Sequence, residues 1–296
     1  MPASAVFMVR PAVCYSNPQT AESNSFQNQA LVPDIAEVLE EFDRVVHLLR
    51  DEGIEVYVYQ DIEEPQKPDA IFPNNWLGMH QDGIRVYYPM EAANRRIENN
   101  EQVRAFLDLQ IPAKKILDFS HHEQTGEFLE GTGSMIFDYL NQRVFASQSS
   151  RTHKHLFIEM ASLLGFEPIW FEAHDIQGKP YYHTNVMLSI GTQYALVCAE
   201  AIPPSQRQMV LDALKHPQRS IIELSPQQVS AFAGNVLELS NVHNERVIAI
   251  SETALNALDD VQLAVLSRSG LLLPISIPVI EKTGGGSIRC MLAEVY

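Results

Sequence analysis

The stretch "IAEVLEEFDRVVHLLRDEGIEVYVYQ", residues 35–60, passes from one hydrophobic period to another. Apolar residues recur near every 3.6 positions up to Gly53, the pattern of an amphipathic helix closed by a C-terminal glycine. "IEVYVYQ" (54–60) then reads as a strand, followed by strand candidates "AIFPNNWLGM" (70–79) and "IRVYYPM" (84–90). The same order returns behind the helix candidates "NEQVRAFLDLQ" (100–110), "HKHLFIEMASLLG" (153–165), "PSQRQMVLDALK" (204–215) and "TALNALDDVQLAVLSRSG" (253–270). The last is followed by strands "PISIPV" (274–279) and "SIRCMLAEV" (287–295). Five helix–strand–strand–strand units of roughly 45–60 residues predict an α/β ring of the propeller kind, strands inside and helices outside. The alternative is an α+β domain whose elements merely alternate.

No Gly/Ser tract, long Pro-rich stretch or block of like charge divides the chain, so one domain over residues 1–296 is expected. Hydrophobic residues at 46% and charged residues at 20% suit a chain with a sizeable core. A formal net charge of −16 without any Lys/Arg run argues against a nucleic-acid partner. The apolar run "GLLLPISIPVI" (270–280) is interrupted by prolines and far shorter than the roughly 20 residues a membrane helix needs, so it reads as buried strand. No secretory signal is evident, and Cys14, Cys198 and Cys290 are odd in number and widely spaced, which points to a reducing, cytoplasmic setting.

Polar groups stand at corresponding places of successive units: "FPNNW" (72–76), "FLEGTGSM" (128–135), "YYHTNVM" (181–187), "AGNVLEL" (233–239) and "GGGSIRCM" (284–291). In a ring these segments converge, and Glu130, His183 and Cys290 share a pocket. A thiol is a nucleophile as its thiolate, an imidazole shuttles protons near neutral pH, and a carboxylate orients the imidazole. The glycines before Cys290 would give a tight turn into the last strand and room for a ligand. Taken singly, each residue has a plainer role: a strand cysteine is often a small buried hydrophobe, His183 a bonded core residue, and Glu130 part of a turn. "HHEQTGE" (121–127) has no third ligand placed by sequence, so no metal is expected, and "KTGGGS" (282–287) lacks the Gly-Lys-Ser/Thr order of a phosphate loop.

"EGTG", "YYHTN" and the terminal "GGGSIRC", in that order over nearly the whole chain, resemble the guanidino-group-modifying, or pentein, superfamily of arginine deiminases, dimethylarginine dimethylaminohydrolases and amidinotransferases. "FPNNW", "YPM" with "RRIE", and "GGSIRCM" resemble its citrulline-utilisation branch. The resemblance implies a five-bladed α/β-propeller of ββαβ repeats with a Cys/His/acid site at its hub and no metal or organic cofactor. It assigns Cys290 as nucleophile, His183 as acid/base, Glu130 as the carboxylate behind the histidine, and Arg96 and Arg151 as holders of a substrate α-carboxylate. The partner implied is a small amino-acid substrate, with no nucleic acid or membrane; homo-oligomerisation stays open.

The departures bear on the substrate. Where deiminases of the superfamily carry Asp, this chain has Asn75, Gly133 and Asn185. A guanidinium deprived of its carboxylates is held poorly, since an unpaired buried charge costs roughly 3–5 kcal/mol. A neutral ureido group offers a carbonyl and N–H donors that Asn74, Asn75 and Asn185 can meet. Citrulline is therefore the expected substrate. Guanidine deimination, amidino transfer, a non-catalytic binding propeller and a cysteine hydrolase of amides are the rival readings.

Overall fold

In a computed structural model, which describes residues 2–31 and 33–296, the chain forms five three-stranded sheets. Four follow one plan. The second sheet pairs Leu77–His80 antiparallel with Ile84–Tyr87, which runs parallel to Lys115–Asp118 after the helix Glu101–Gln110. The third does the same with Ile136–Asp138, Arg143–Ser147, helix Lys154–Leu164 and Glu167–Phe171. The fourth uses Leu188–Ile190, Tyr194–Val197, helix Pro204–Leu214 and Ser220–Glu223. The fifth uses Leu237–Ser240, Arg246–Ser251 and Leu271–Ile275. A hairpin joins antiparallel neighbours directly, whereas a parallel pair needs a crossover, and the amphipathic helix supplies it. The repeat is thus strand, strand, helix, strand.

The first sheet joins both ends of the chain. Ala5–Arg10 runs parallel to Glu55–Gln60 across the helix Ile35–Asp51 and antiparallel to Ala293–Val295, with Phe7 opposite Ala293. A count that begins at the helix overlooks "AVFMVR" (5–10), a short apolar run that periodicity alone leaves ambiguous. Asp34 caps the helix by accepting the Ala36 N–H, and Val38, Phe42, Val45 and Leu49 form its buried stripe.

Three expected elements differ. Residues 253–270 form two helices, Glu252–Ala257 and Asp260–Ser269, because Asp259 and Gln262 make a capping box that starts the second afresh. Beyond Ile275 the expected strand becomes the helix Pro278–Gly284: Pro278 opens it, and Glu41 accepts the N–H groups of Val279 and Ile280. Ile288–Met291 is a helical turn, so Cys290 precedes the last strand instead of lying in it.

Such a turn recurs ahead of the outermost antiparallel strand in other sheets: Pro73–Asn75, Gly131–Ser134 and Thr184–Val186. Gly131–Ser134 touches both Pro73–Asn75 and Thr184–Val186, and Ile288–Met291 touches Pro73–Asn75. Asn235, just ahead of the fifth sheet, donates to the Asn185 carbonyl on one side and accepts the Arg289 N–H on the other. The five polar segments therefore meet side by side, the last against the first.

Two glycines set how closely they approach. A Cβ on Gly131, whose φ is +47°, would stand 2.2 Å from the Asn74 carbonyl oxygen, and one on Gly234 would stand 2.4 Å from that of Val186. Backbone cannot yield as a flexible side chain does. Gly131→Ala and Gly234→Ala should each destabilise the protein by about 1–3 kcal/mol in urea unfolding. Gly178→Ala, at positive φ but with nothing within 4 Å, should cost only the roughly 1–2 kcal/mol of the left-handed backbone, with no added clash.

Candidate active site

Cys290 is buried on the turn after the glycine run. Its sulfur lies 3.3 Å from Asn235 Nδ2 and 3.5 Å from Asn185 Nδ2, with Asn235 Oδ1 at 3.6 Å. Gly285 ends the helix Pro278–Gly284 in the left-handed region at φ +64°. The space beside Gly284 and Gly286 is taken largely by the Phe72 ring, 2.5 and 3.0 Å from where their Cβ atoms would lie. The glycines thus seat "FPNNW" against the Cys290 turn as well as lining the cavity.

His183 and Glu130 are both buried, and His183 Nε2 lies 2.8 Å from Glu130 Oε2. The other Glu130 oxygen accepts the Glu91 N–H at 3.0 Å. Burial opposes ionisation of Glu130, but the Arg151 guanidinium at 3.5 Å and the His183 bond outweigh it, so the carboxyl is held below its ordinary range. Burial pushes the His183 imidazole below its ordinary value against the pull of Glu130. With Nε2 committed to Glu130, Nδ1 is the nitrogen left for a ligand's protons. It faces Gly133, where a Cβ would stand 2.8 Å from Nδ1 and 2.6 Å from Asn75 Nδ2. An aspartate at 133 would collide with both as they are placed here.

Cys290, His183, Asn75 and Arg151 line one cavity. Glu130 stands behind His183, Asn185 beside the sulfur, and Asn74 beside Asn75, to which it offers Oδ1 at 3.0 Å. Arg96 is not among the lining residues: it is half-buried, bonds the Met90 and Glu91 carbonyls and lies over the Phe128 ring. Its neighbour Arg95 lines the cavity instead, since successive residues of the helix Ala93–Arg96 point to different sides. "HHEQTGE" lies apart, with His121 on the Asp118 carbonyl and His122 on Glu127.

Four features were not assigned to the site from the sequence. Asp69 lines the cavity fully buried; one oxygen takes the Asn17 amide at 2.7 Å, while Oδ1 has no partner. Burial raises its pKa and Arg95 only partly offsets that. Arg95 and Asn235 are the second and third, and the neighbouring Arg96 and the segment "AGNVLEL" were the nearest signals. The fourth is the polar strap "SNPQTAESNSFQNQ" (16–29), whose Asn24 and Gln27 bond the Gly284 carbonyl and whose Ser23 accepts from Arg151. Its Asn/Gln/Ser richness was the only hint, because glycine-run carbonyls need distant donors.

The profile of the family described as N,N dimethylarginine dimethylhydrolase, eukaryotic, matches residues 10–296. Solved structures share the fold at low identity. The apo form of ArgZ, an arginine dihydrolase from the ornithine-ammonia cycle in Cyanobacteria, superposes with TM-score 0.77 at 17% identity, covering 98% of this chain and 40% of that one. The chain thus spans about 40% of full-length ArgZ. The N-terminal domain of ArgZ, as a cysteine-to-serine mutant bound to substrate, gives 0.76 at 16% identity over 98% of this chain and 97% of that one. A dimethylarginine dimethylaminohydrolase adduct with 4-chloro-2-hydroxymethylpyridine gives 0.69 at 13% identity, covering 99% of both chains. No curated protein matches the chain by sequence.

The paired charges give a titration test. His183, followed by NMR of its ring nuclei, should titrate below the ordinary value of about 6.5. Glu130→Gln removes the anion that favours imidazolium and should lower the midpoint further. A midpoint above about 7 in the unmodified protein would contradict the burial argument.

Proposed function

The chain belongs to the N,N dimethylarginine dimethylhydrolase family, and from that premise we propose that it is a cysteine-dependent hydrolase of the ureido group of a small amino acid, with citrulline favoured. The observation that carries the substrate is the polarity of two side-chain amides. Asn75 Oδ1 is taken by Arg95 Nη1 at 2.7 Å, which leaves its Nδ2 as the group facing His183. Asn185 turns Nδ2 to the sulfur and keeps a buried Oδ1 without a partner. One donor and one acceptor suit a group that has a carbonyl and an N–H. A guanidinium, which only donates, would meet the Asn75 N–H donor to donor.

Two further groups address the amino-acid end. Arg151 is free to exchange its bonds to Ser23 for an α-carboxylate, and the unpartnered oxygen of Asp69 suits an α-ammonium. The Cys290 thiol gives its proton to His183 as the sulfur attacks the ureido carbon, the C–S bond forming as the carbonyl becomes an oxyanion. The oxyanion collapses, His183 delivers a proton to the departing nitrogen, and an S-bound carbonyl adduct remains. Water, deprotonated by His183, then breaks the C–S bond and regenerates the thiol, while Glu130 steadies each imidazolium.

The fold reading is one five-bladed α/β-propeller domain over residues 1–296, supported by the repeated sheets and the circuit of polar turns. A cytoplasmic setting is supported by three unpaired cysteines, and among the described residues no helix is long and apolar enough to cross a membrane. Asp69 favours a second reading, hydrolysis of an arginine-type guanidinium, because it supplies a buried carboxylate to a cation; the activity of arginine dihydrolase in ArgZ is of that kind.

Product analysis separates the two. Citrulline should be turned over with kcat/KM at least about tenfold above arginine, a difference of about 1.4 kcal/mol in transition-state binding. Cys290→Ala should abolish both activities, and Asn185→Asp should move the ratio toward arginine by a similar factor. Faster turnover of arginine by the unmodified protein would overturn the ureido reading.

A further inference from the structure

Arg95 is 2% exposed, yet it lines the cavity. Its Nε and Nη2 hold the two Glu98 oxygens at 2.9 and 3.0 Å, Nη2 also reaches the Phe72 carbonyl at 3.0 Å, and Nη1 holds Asn75 Oδ1 at 2.7 Å. Four of its five N–H groups are thereby committed, so it has no two-pronged face left for a substrate carboxylate. What it does hold is a direction. A guanidinium has no acceptor, so the Asn75 atom beside it is the oxygen.

The direction propagates. Asn75 Nδ2 donates to Asn74 Oδ1 at 3.0 Å, and Asn74 Nδ2 donates to Thr132 Oγ1 at 3.3 Å. Turning the Asn75 amide over would set N–H against N–H at Arg95 and oxygen against oxygen at Asn74. The second Nδ2 hydrogen is left on the side of Gly133, where the absent side chain opens a space between Asn75 Nδ2 and His183 Nδ1.

We propose, resting on the ureido reading above, that Arg95 is a specificity-determining positioning residue: by fixing the Asn75 amide it presents an N–H to the substrate carbonyl oxygen, which becomes the oxyanion when Cys290 attacks. Asn75 is the group that touches the substrate, and Arg95 acts through it. The donor strengthens its bond as charge develops on oxygen, which a guanidinium nitrogen in the same place cannot exploit.

The test compares two substrates. Arg95→Lys keeps a charge beside Glu98 but cannot reach Glu98 and Asn75 with one planar fork. It should lower kcat/KM for citrulline and shrink the citrulline-to-arginine ratio at least tenfold. A purely structural role would weaken both substrates alike, so an unchanged ratio in a folded Arg95→Lys protein overturns the proposal. Should that variant fail to fold, Asn75→Ala decides: citrulline should lose about a hundredfold in kcat with KM within about threefold, as for a lost oxyanion donor, while arginine kcat/KM falls less than about threefold. Equal loss for both substrates overturns the proposal. Absence of citrulline turnover in the unmodified protein overturns the substrate reading itself, whereas a citrulline preference that survives both variants overturns Arg95 alone.

Discussion

The backbone of Gly131 lies against the carbonyl of Asn74 with no space for a methyl group between them, and Gly234 meets Val186 in the same way. Because these turns touch through their backbones, the side chains they carry are brought within hydrogen-bonding range from positions far apart in the chain. Glu130 and His183 are 53 residues apart and bonded at 2.8 Å. Asn235 and Cys290 are 55 residues apart and meet at 3.3 Å. Each sheet serves as a bracket that holds one turn in place, so the precision of the site is inherited from the sheets.

Close packing also buries charge. Arg95 and Arg151 share the cavity with Asp69, while Glu98 and Glu130 stand against them. A buried ion is tolerated when its partners are near and its hydrogen bonds are complete, and the loss of one partner is costly. Arg151 and the His183 bond hold the Glu130 carboxyl below its ordinary range against burial, whereas burial itself lowers the His183 imidazole against the pull of Glu130. Asp69 Oδ1 and Asn185 Oδ1 are exceptions in being buried without partners. Groups left in that condition beside a cavity are where a ligand gains most, since its donors satisfy them.

The long amphipathic helices were legible because their period persists over several turns, as in Ile35–Asp51. Cys290, His183 and Glu130 were legible because they recur at matching points of the repeat, and the structure brings Cys290 and His183 to one cavity with Glu130 behind His183. Short elements were less so: Ala5–Arg10 was overlooked, and Cys290 was expected on a strand although Ile288–Met291 is helical. Arg96 was expected at the ligand, whereas Arg95 lines the cavity; one residue turns a side chain by about 100° on a helix.

By itself the sequence determined the repeated strand and helix units, the candidate trio Cys290, His183 and Glu130, and the neutrality of positions 75, 133 and 185. Those are properties of local period and of residue type. Only the tertiary structure decided which arginine enters the cavity, which nitrogen of His183 is spent on Glu130, and which end of the Asn75 amide is left for a ligand. An amide or an imidazole carries its donor and acceptor in either orientation until a partner fixes one. Here the partners, Arg95 and Glu130, lie 20 and 53 residues away and arrive only when the sheets are assembled.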